Sequence, residues 1–250
     1  MSGESILVNQ QVSTLKTRWP LQLNLRFVNW MPVVVAFAVT GLLMLYDNGS
    51  EAATIAWRAR IVENITPLIA ALQAAFLFSP EDEPALEVML ACPRPIKWVL
   101  LERLALLFIV FSGVSTAWSV VSLGLNGDNN VLLAVVRWLS PMVFLIGISI
   151  VSTLIARQPA LGLVMTIVMW FGMNIVGDGL LNQFPWLWPV HAFLQPETLK
   201  LTYVLNRVAL IMIGIGLIAM AIHQLRDEEH VLLGSQGANW IKLLKKKVTR

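Results

Sequence analysis

The sequence contains several runs of roughly 20 residues that carry almost no charged side chains, which is the length that a helix needs to cross a bilayer. Hydrophobic residues make up 57% of the chain and charged residues only 13%, about half the charged fraction of a soluble domain. No segment of about 100 residues has the mixed composition of a soluble domain. The sequence therefore predicts an all-α, polytopic membrane protein.

Six membrane spans are predicted from these apolar runs. They cover residues 32–46, 61–78, 98–123, 131–156, 160–181 and 203–224. Residues 47–60 are interpreted as a small loop, with or without a short helix, and Asn126-Gly127-Asp128-Asn129 is a turn signal between the third and fourth spans. The transmembrane domain is thus expected to comprise residues 32–224.

Cationic side chains indicate the orientation. With the N-terminus inside the cell, 13 of the 18 Lys and Arg residues fall in cytoplasmic segments. The other five fall on the outer side, and they are Arg58, Arg60, Arg137, Lys200 and Arg207. Residues 1–31 then form a cytoplasmic N-terminus, in which 15–31 are predicted to be an interfacial helix or an early start of the first span. Residues 225–250 form a basic cytoplasmic tail that either lies on anionic lipid or extends into solution. The chain is expected in the cytoplasmic membrane with both termini inside.

Residues 182–202, between the fifth and sixth spans, are apolar but are interrupted by Pro185 and Pro189. They are too short to cross a bilayer as a pair of helices and too apolar to lie free in water. We interpret them as an extracellular re-entrant or interfacial helical hairpin.

Residues 79–97, between the second and third spans, combine four carboxylates, four prolines and two cations. Between Pro84 and Pro93 there is room for about two helical turns. Leu86, Met89 and Leu90 would give this helix one apolar face. A short charged helix on the cytoplasmic side is suited to contact with a soluble partner.

Motifs for catalysis are missing from the sequence. There is no phosphate-binding loop, no His-Glu-x-x-His and no Gly-x-Ser-x-Gly pattern. Cys92 is the single cysteine, and His191, His223 and His230 are interpreted as separate interfacial or solvated residues rather than metal ligands. The net charge of +3 is not interpreted as a sign of nucleic-acid binding, because basic residues in a membrane protein mainly reflect its orientation. We therefore expect no metal, no cofactor and no enzymatic activity in this chain.

Polar residues inside the spans are candidates for a translocation path. One set lies on a single face of the third span and the other on a single face of the fifth: Ser112, Ser115, Thr116, Ser119, Asn174 and Asp178. The alternatives are close helix packing for the hydroxyl residues and a helix end among headgroups for Asn174 and Asp178. Glu63 is the further candidate for an acid within a span. Sparse charge in the spans favours a lipid-like or amphiphilic cargo.

The layout and the segment 79–97 together resemble the type-2 ATP-binding-cassette permeases, the membrane subunits of drug, lipid and polysaccharide exporters. Members of that family often have Glu-x-x-Gly-Thr-Leu-Glu-x-Leu-Leu-x-x-Pro between the second and third spans. Leu86, Glu87, Leu90 and Pro93 match this motif in register, whereas Pro84-Ala85 replaces the Gly-Thr pair. The resemblance covers nearly the whole chain in layout, and its motif content lies in 79–97.

The resemblance implies a cytoplasmic coupling helix in 79–97 that docks on a separate cytosolic ATPase, which would bind the ATP and Mg²⁺. The residues implied in coupling are Glu81, Asp82, Glu83, Leu86, Glu87, Leu90, Pro93 and Arg94. It also implies that the hairpin closes the extracellular side, with Phe184, Trp186 and Trp188 as an outer gate. The permease is expected to form a homodimer or to pair with a related subunit, within membrane lipid.

A membrane protein that works alone, such as a secondary carrier or a lipid-modifying enzyme, is the alternative. An enzyme needs positioned acids, bases or metal ligands, and a carrier usually has internal repeats. The second half of this sequence has no counterpart of 79–97, and no catalytic motif is present.

Overall fold

Each of the apolar runs forms helix, because a helix satisfies its main-chain hydrogen bonds within one segment. The computed structural model describes residues 31–45, 50–77, 96–126, 131–175, 177–193 and 200–224. The α-helices in these ranges are α1 Met31–Met44, α2 Glu51–Leu77, α3 Ile96–Asn126, α4 Val131–Ala156, α5 Pro159–Ile175, α6 Gly177–Gln183 and α7 Lys200–Gln224. A 3₁₀ helix, Pro185–Val190, lies between α6 and α7. Within the described ranges there is no strand, so the all-α prediction is confirmed there.

Three helices are long and apolar enough to cross a membrane. They are Leu100–Gly124, Val131–Ala156 and Leu201–Gln224. Met31–Met44 and Pro159–Ile175 are apolar but shorter. The chain is thus a helical protein with the character of a membrane-embedded one, while the number of six spans stays a prediction.

Helix α4 lies at the centre of the bundle. Most of its residues between Trp138 and Thr153 are buried. It packs most extensively against α7 and α2, and next against α5. Arg207 of α7 bonds Glu63 of α2 and Ser140 of α4, and farther along Ser149 of α4 bonds Ala71 of α2 and Gly147 of α4 packs on Gly214 of α7. These contacts follow in the same order along each helix, so α2, α4 and α7 run in the same direction. The end of the bundle at which these three helices begin is called the hairpin end below, and residues 177–193 are called the hairpin segment.

Glycines allow α4 to approach its neighbours closely. A Cβ added at Gly214 of α7 would lie 2.8 Å from main-chain atoms of Val143, and one at Gly147 would lie 2.9 Å from the carbonyl oxygen of Gly214. A Cβ at Gly162 of α5 would lie 2.8 Å from the carbonyl oxygen of Ser149 in α4. Small residues at such crossings are a common device for helix packing in membranes.

Residues 47–60 were predicted to be a small loop, with or without a short helix. Residues 51–60 are indeed helical, but they belong to the long helix α2 and not to a separate short one. Helix α2 begins at Glu51, and the Ser50 hydroxyl accepts a hydrogen bond of 3.3 Å from the Ala53 main-chain N–H as a helix cap. The Trp57 indole N–H donates to the carbonyl of Leu43 at 3.1 Å, and Arg58 Nε donates to that of Met44 at 3.2 Å. These side chains satisfy the terminal carbonyls of α1 and attach the start of α2 to it.

The fifth predicted span, 160–181, is divided in the structure. Helix α5 ends at Ile175 and α6 begins at Gly177. Val176, between the two helices, lies outside the described residues.

Candidate functional site

Arg207 of α7 and Glu63 of α2 form a buried ion pair at the hairpin end. Arg207 Nη2 donates a short hydrogen bond to Glu63 Oε1. The Arg207 side chain is 1% exposed and that of Glu63 is 10% exposed. Removing charged groups from water is costly, and the cost is offset only when each group is well paired. Buried ionisable residues in apolar helices are therefore candidates for function.

Arg207 also binds two further elements. Its Nη1 donates to the main-chain carbonyl of Ala192 at 2.7 Å and to the hydroxyl of Ser140 at 3.3 Å. Its guanidinium carbon lies 4.7 Å from the centroid of the Tyr203 ring, a cation–π distance. One side chain thus links α2, α4, α7 and the hairpin segment.

Asn206, the neighbour of Arg207, holds the hairpin segment from a second point. Its Nδ2 donates to the carbonyl oxygen of Trp188 at 2.6 Å and to that of His191 at 3.1 Å. Asn206 is fully buried. We define the polar centre as Glu63, Ser140, Asn206 and Arg207. It anchors the main chain of residues 188–192 on α7.

A cavity of about 90 Å³ lies beside the polar centre. It is lined by residues of α2, α3 and α4, namely Ile55, Ala59, Val62, Glu63, Ser119, Ser122, Leu123, Ala134, Arg137 and Trp138. Arg137 and Arg60 are both close enough to Glu63 to act on it electrostatically. Arg207 binds this carboxylate directly, whereas Arg137 lines the same cavity and Arg60 is exposed.

The hydroxyl stripe of α3 is divided between two environments. Ser115 and Ser119 are buried, Ser112 is half-buried, and Thr116 is exposed. Ser119 lines the cavity. The structure thus brings one of these candidate path residues to the neighbourhood of Glu63, and it places Thr116 on the outer face of the helix.

The second set of candidate path residues, Asn174 and Asp178, belongs to α5 and α6. Asn174 is exposed, and its Nδ2 donates to the carbonyl of Trp170 in the preceding turn at 2.8 Å. The side chain of Asp178 lies outside the described part of the structure. The stripe is therefore not joined to the polar centre by any described contact.

The three aromatic residues of the predicted outer gate lie at the 3₁₀ helix. The rings of Phe184 and Trp186 meet edge to face, with centroids 6.5 Å apart, and both side chains are exposed. Trp188 is half-buried, and its carbonyl oxygen accepts the hydrogen bond from Asn206. The helical character of this segment agrees with the sequence prediction, and the gate role stays a prediction.

The coupling residues predicted in 79–97 lie outside the described residues, as do the interfacial helix of 15–31 and the tail of 225–250. Among the residues that are described, no group of three or more His, Cys, Asp or Glu side chains could hold a metal. His191 was predicted to be interfacial or solvated, but it is buried, at 6% exposure, because the hairpin segment packs on α7.

Sequence reasoning missed the role of Arg207 and counted it among the cations outside the membrane. The sequence feature that indicates this role is the position of Arg207 inside an apolar helix, where an unpaired guanidinium is unfavourable. Its acidic partner, Glu63, was recognised as a candidate, but their contact joins residues 144 positions apart.

We expect Asn206→Ala to loosen the hairpin segment, because the carbonyl groups of Trp188 and His191 would lose their donor. The cost of unpaired buried polar groups is about 1–3 kcal/mol. A cysteine placed at Leu187 should react with a polar maleimide several-fold faster in the Asn206→Ala background. Asn174→Ala, which removes an amide with only a local bond, is the matched control. Equal labelling rates in both backgrounds would contradict the anchoring role.

No protein-family model matches the chain, and no curated protein sequence matches it significantly.

Proposed function

We propose that the chain is the permease subunit of a type-2 ATP-binding-cassette exporter in the cytoplasmic membrane. It would move an amphiphilic or lipid-like substrate with energy from a separate cytosolic ATPase. The observation that carries the proposal is the match of Leu86, Glu87, Leu90 and Pro93 to the coupling motif of that family. The motif lies between the end of α2 at Leu77 and the start of α3 at Ile96, where the family has its coupling helix.

The hairpin segment supports the proposal from the other end of the molecule. The family has a short helical hairpin before its last span, and here α6 and the 3₁₀ helix precede α7. Asn206 and Arg207 fasten the main chain of this segment to α7. A hairpin attached to the last helix can move with that helix, as a gate on one side of the membrane must do.

Helix α2 connects the predicted coupling segment with the polar centre. One end of α2 leads directly into the coupling segment, and Glu63, nearer the other end, binds Arg207. Because Arg207 also binds Ala192, a displacement of α2 would act on the hairpin segment through two consecutive side-chain contacts. Such a bonded path has the contiguity that coupling between distant sites requires.

The exposed surface of the described helices fits a chain that works in lipid and beside a second permease subunit. Large apolar side chains are exposed along α1, α5 and α7, including Phe37, Val168 and Met212. In a membrane these faces contact lipid or another subunit without cost. The chain would then act as a homodimer or with a related subunit, its termini in the cytoplasm, and ATP would be hydrolysed on the partner ATPase.

The test is association with the cognate ATPase. In a pulldown of the full chain from detergent, Glu87→Lys and Leu90→Asp should each reduce ATPase recovery at least tenfold. Both variants should still insert into the membrane. Glu228→Lys, a charge reversal in the predicted tail, should bind normally. If neither Glu87→Lys nor Leu90→Asp changed recovery, the coupling assignment would be wrong.

A further inference from the structure

The cavity beside the polar centre has walls that are mostly apolar, with a few polar groups. Ile55, Ala59 and Leu123 are among its half-exposed lining residues, so the cavity reaches the surface of the bundle. Its volume of about 90 Å³ corresponds to about three water volumes. A group of a few non-hydrogen atoms can therefore enter it, as in a small headgroup site.

Two residues of the wall contain a buried hydrogen-bond donor without an acceptor among the described residues. Arg137 Nε is buried and has no acceptor among the described residues, and the same holds for the indole N–H of Trp138, a residue that is only 3% exposed. Glu63 is the only carboxylate among the lining residues, and its Oε1 is already bonded to Arg207. Buried donors normally have an acceptor. The Arg137 side chain in the cavity wall is therefore suited to a ligand that accepts hydrogen bonds.

The charges around the cavity favour an anion. Arg137 lines the cavity, whereas the Glu63 carboxylate beside it is already bonded to Arg207. Arg137 is therefore an additional cation at the cavity wall. In an apolar environment such an excess of positive charge is stabilised by a bound anion. Arginine is also the side chain best suited to planar, multiple hydrogen bonding with phosphate oxygens.

We propose that this cavity binds a phosphate-type oxyanion, with Arg137 as its main cationic ligand and Ser119 as a further donor. The anion is either a free phosphate or the phosphate of a lipid headgroup. The inference depends on the cavity and its donors and not on the proposed transport function. Binding to the isolated chain therefore tests it whether or not an ATPase associates.

The experiment measures equilibrium binding of two probes to the purified full chain in a neutral detergent at fixed ionic strength. One probe is radiolabelled inorganic phosphate, and the other is radiolabelled dihexanoyl phosphatidic acid. Arg137→Gln should weaken binding at least tenfold. Ala134→Leu should do the same without a change in charge, because its side chain would fill part of the cavity. Arg157→Gln is the matched control, since Arg157 follows the opposite end of α4, about 30 Å away along its axis.

Binding of both probes that depends on Arg137 would support a site for free phosphate as well as for lipid. Binding of phosphatidic acid alone, again dependent on Arg137, would support a lipid headgroup site. The proposal would be overturned if neither probe bound the wild-type chain, or if Arg137→Gln and Ala134→Leu bound as well as wild type. Equal weakening by Arg157→Gln would overturn it too, because the attraction would then be a general effect of net charge.

Discussion

Glu63→Gln should lower the free energy of unfolding by about 3–5 kcal/mol, which is the usual cost of removing one partner of a buried ion pair. Arg207 forms its ion pair with the carboxylate of Glu63, and the Arg207 side chain is 1% exposed. Glutamine keeps the size of Glu63 and loses its charge. Arg207 would then keep its charge with an amide in place of the carboxylate that it binds.

A double-mutant cycle separates the charge pairing from other effects. Arg207→Met removes the second charge, and the variant with both substitutions contains neither charge. We expect the double variant to be less destabilised than the sum of the two single variants by at least 2 kcal/mol, since an isolated buried charge is costlier than none. The carbonyl of Ala192 would still lose its donor, so full recovery is not expected. The measurement is the unfolding midpoint in a denaturing-detergent titration, and additivity within about 0.5 kcal/mol would contradict the pairing.

The sequence predicted the helices well wherever one apolar run corresponds to one helix. The span predicted at 131–156 has the bounds of α4, and that predicted at 203–224 ends with α7 at Gln224. Here the hydropathy of the run and the length needed to cross a bilayer agree.

The sequence failed where a tertiary contact supplies the stabilisation. Residues 51–60 were interpreted as part of a loop, with or without a short helix, but they form the first turns of α2, and Trp57 and Arg58 bond to the end of α1. The pattern of a single segment contains no information about the carbonyl groups of another helix.

The candidate site was predicted only in part. Ser119 and Glu63 were recognised as polar residues within spans, and both line the cavity. Arg207 was assigned to the outside because positive charge is normally found there. Its burial results from a salt bridge to α2 and a bond to the hairpin segment, which are distant in sequence. Apolar periodicity identifies which residues lie in a span, whereas pairing across helices depends on their packing.

The second large effect is expected at the crossing of α4 and α7. Gly214→Leu should destabilise the chain by about 3 kcal/mol, at the upper end of the range for overpacking. A Cβ at this position would lie 2.8 Å from the carbonyl carbon, the carbonyl oxygen and Cγ1 of Val143. Two of these three atoms belong to the main chain of α4 and cannot move aside as a side chain can. The two helices would have to separate, which would also displace Arg207, two turns earlier in α7, from Ser140 of α4.

Gly216→Leu is the matched control, because it makes the same substitution two residues later on the same helix. A Cβ at Gly216 would meet nothing within 4 Å, and the residue is exposed. Leucine there should be neutral, or stabilising by up to about 1 kcal/mol through helix propensity. The comparison again uses the unfolding midpoint in a denaturing-detergent titration. If both substitutions shifted the midpoint equally, the effect would come from α7 alone, and the close approach of α4 to α7 at Val143 would not be a feature of the folded chain.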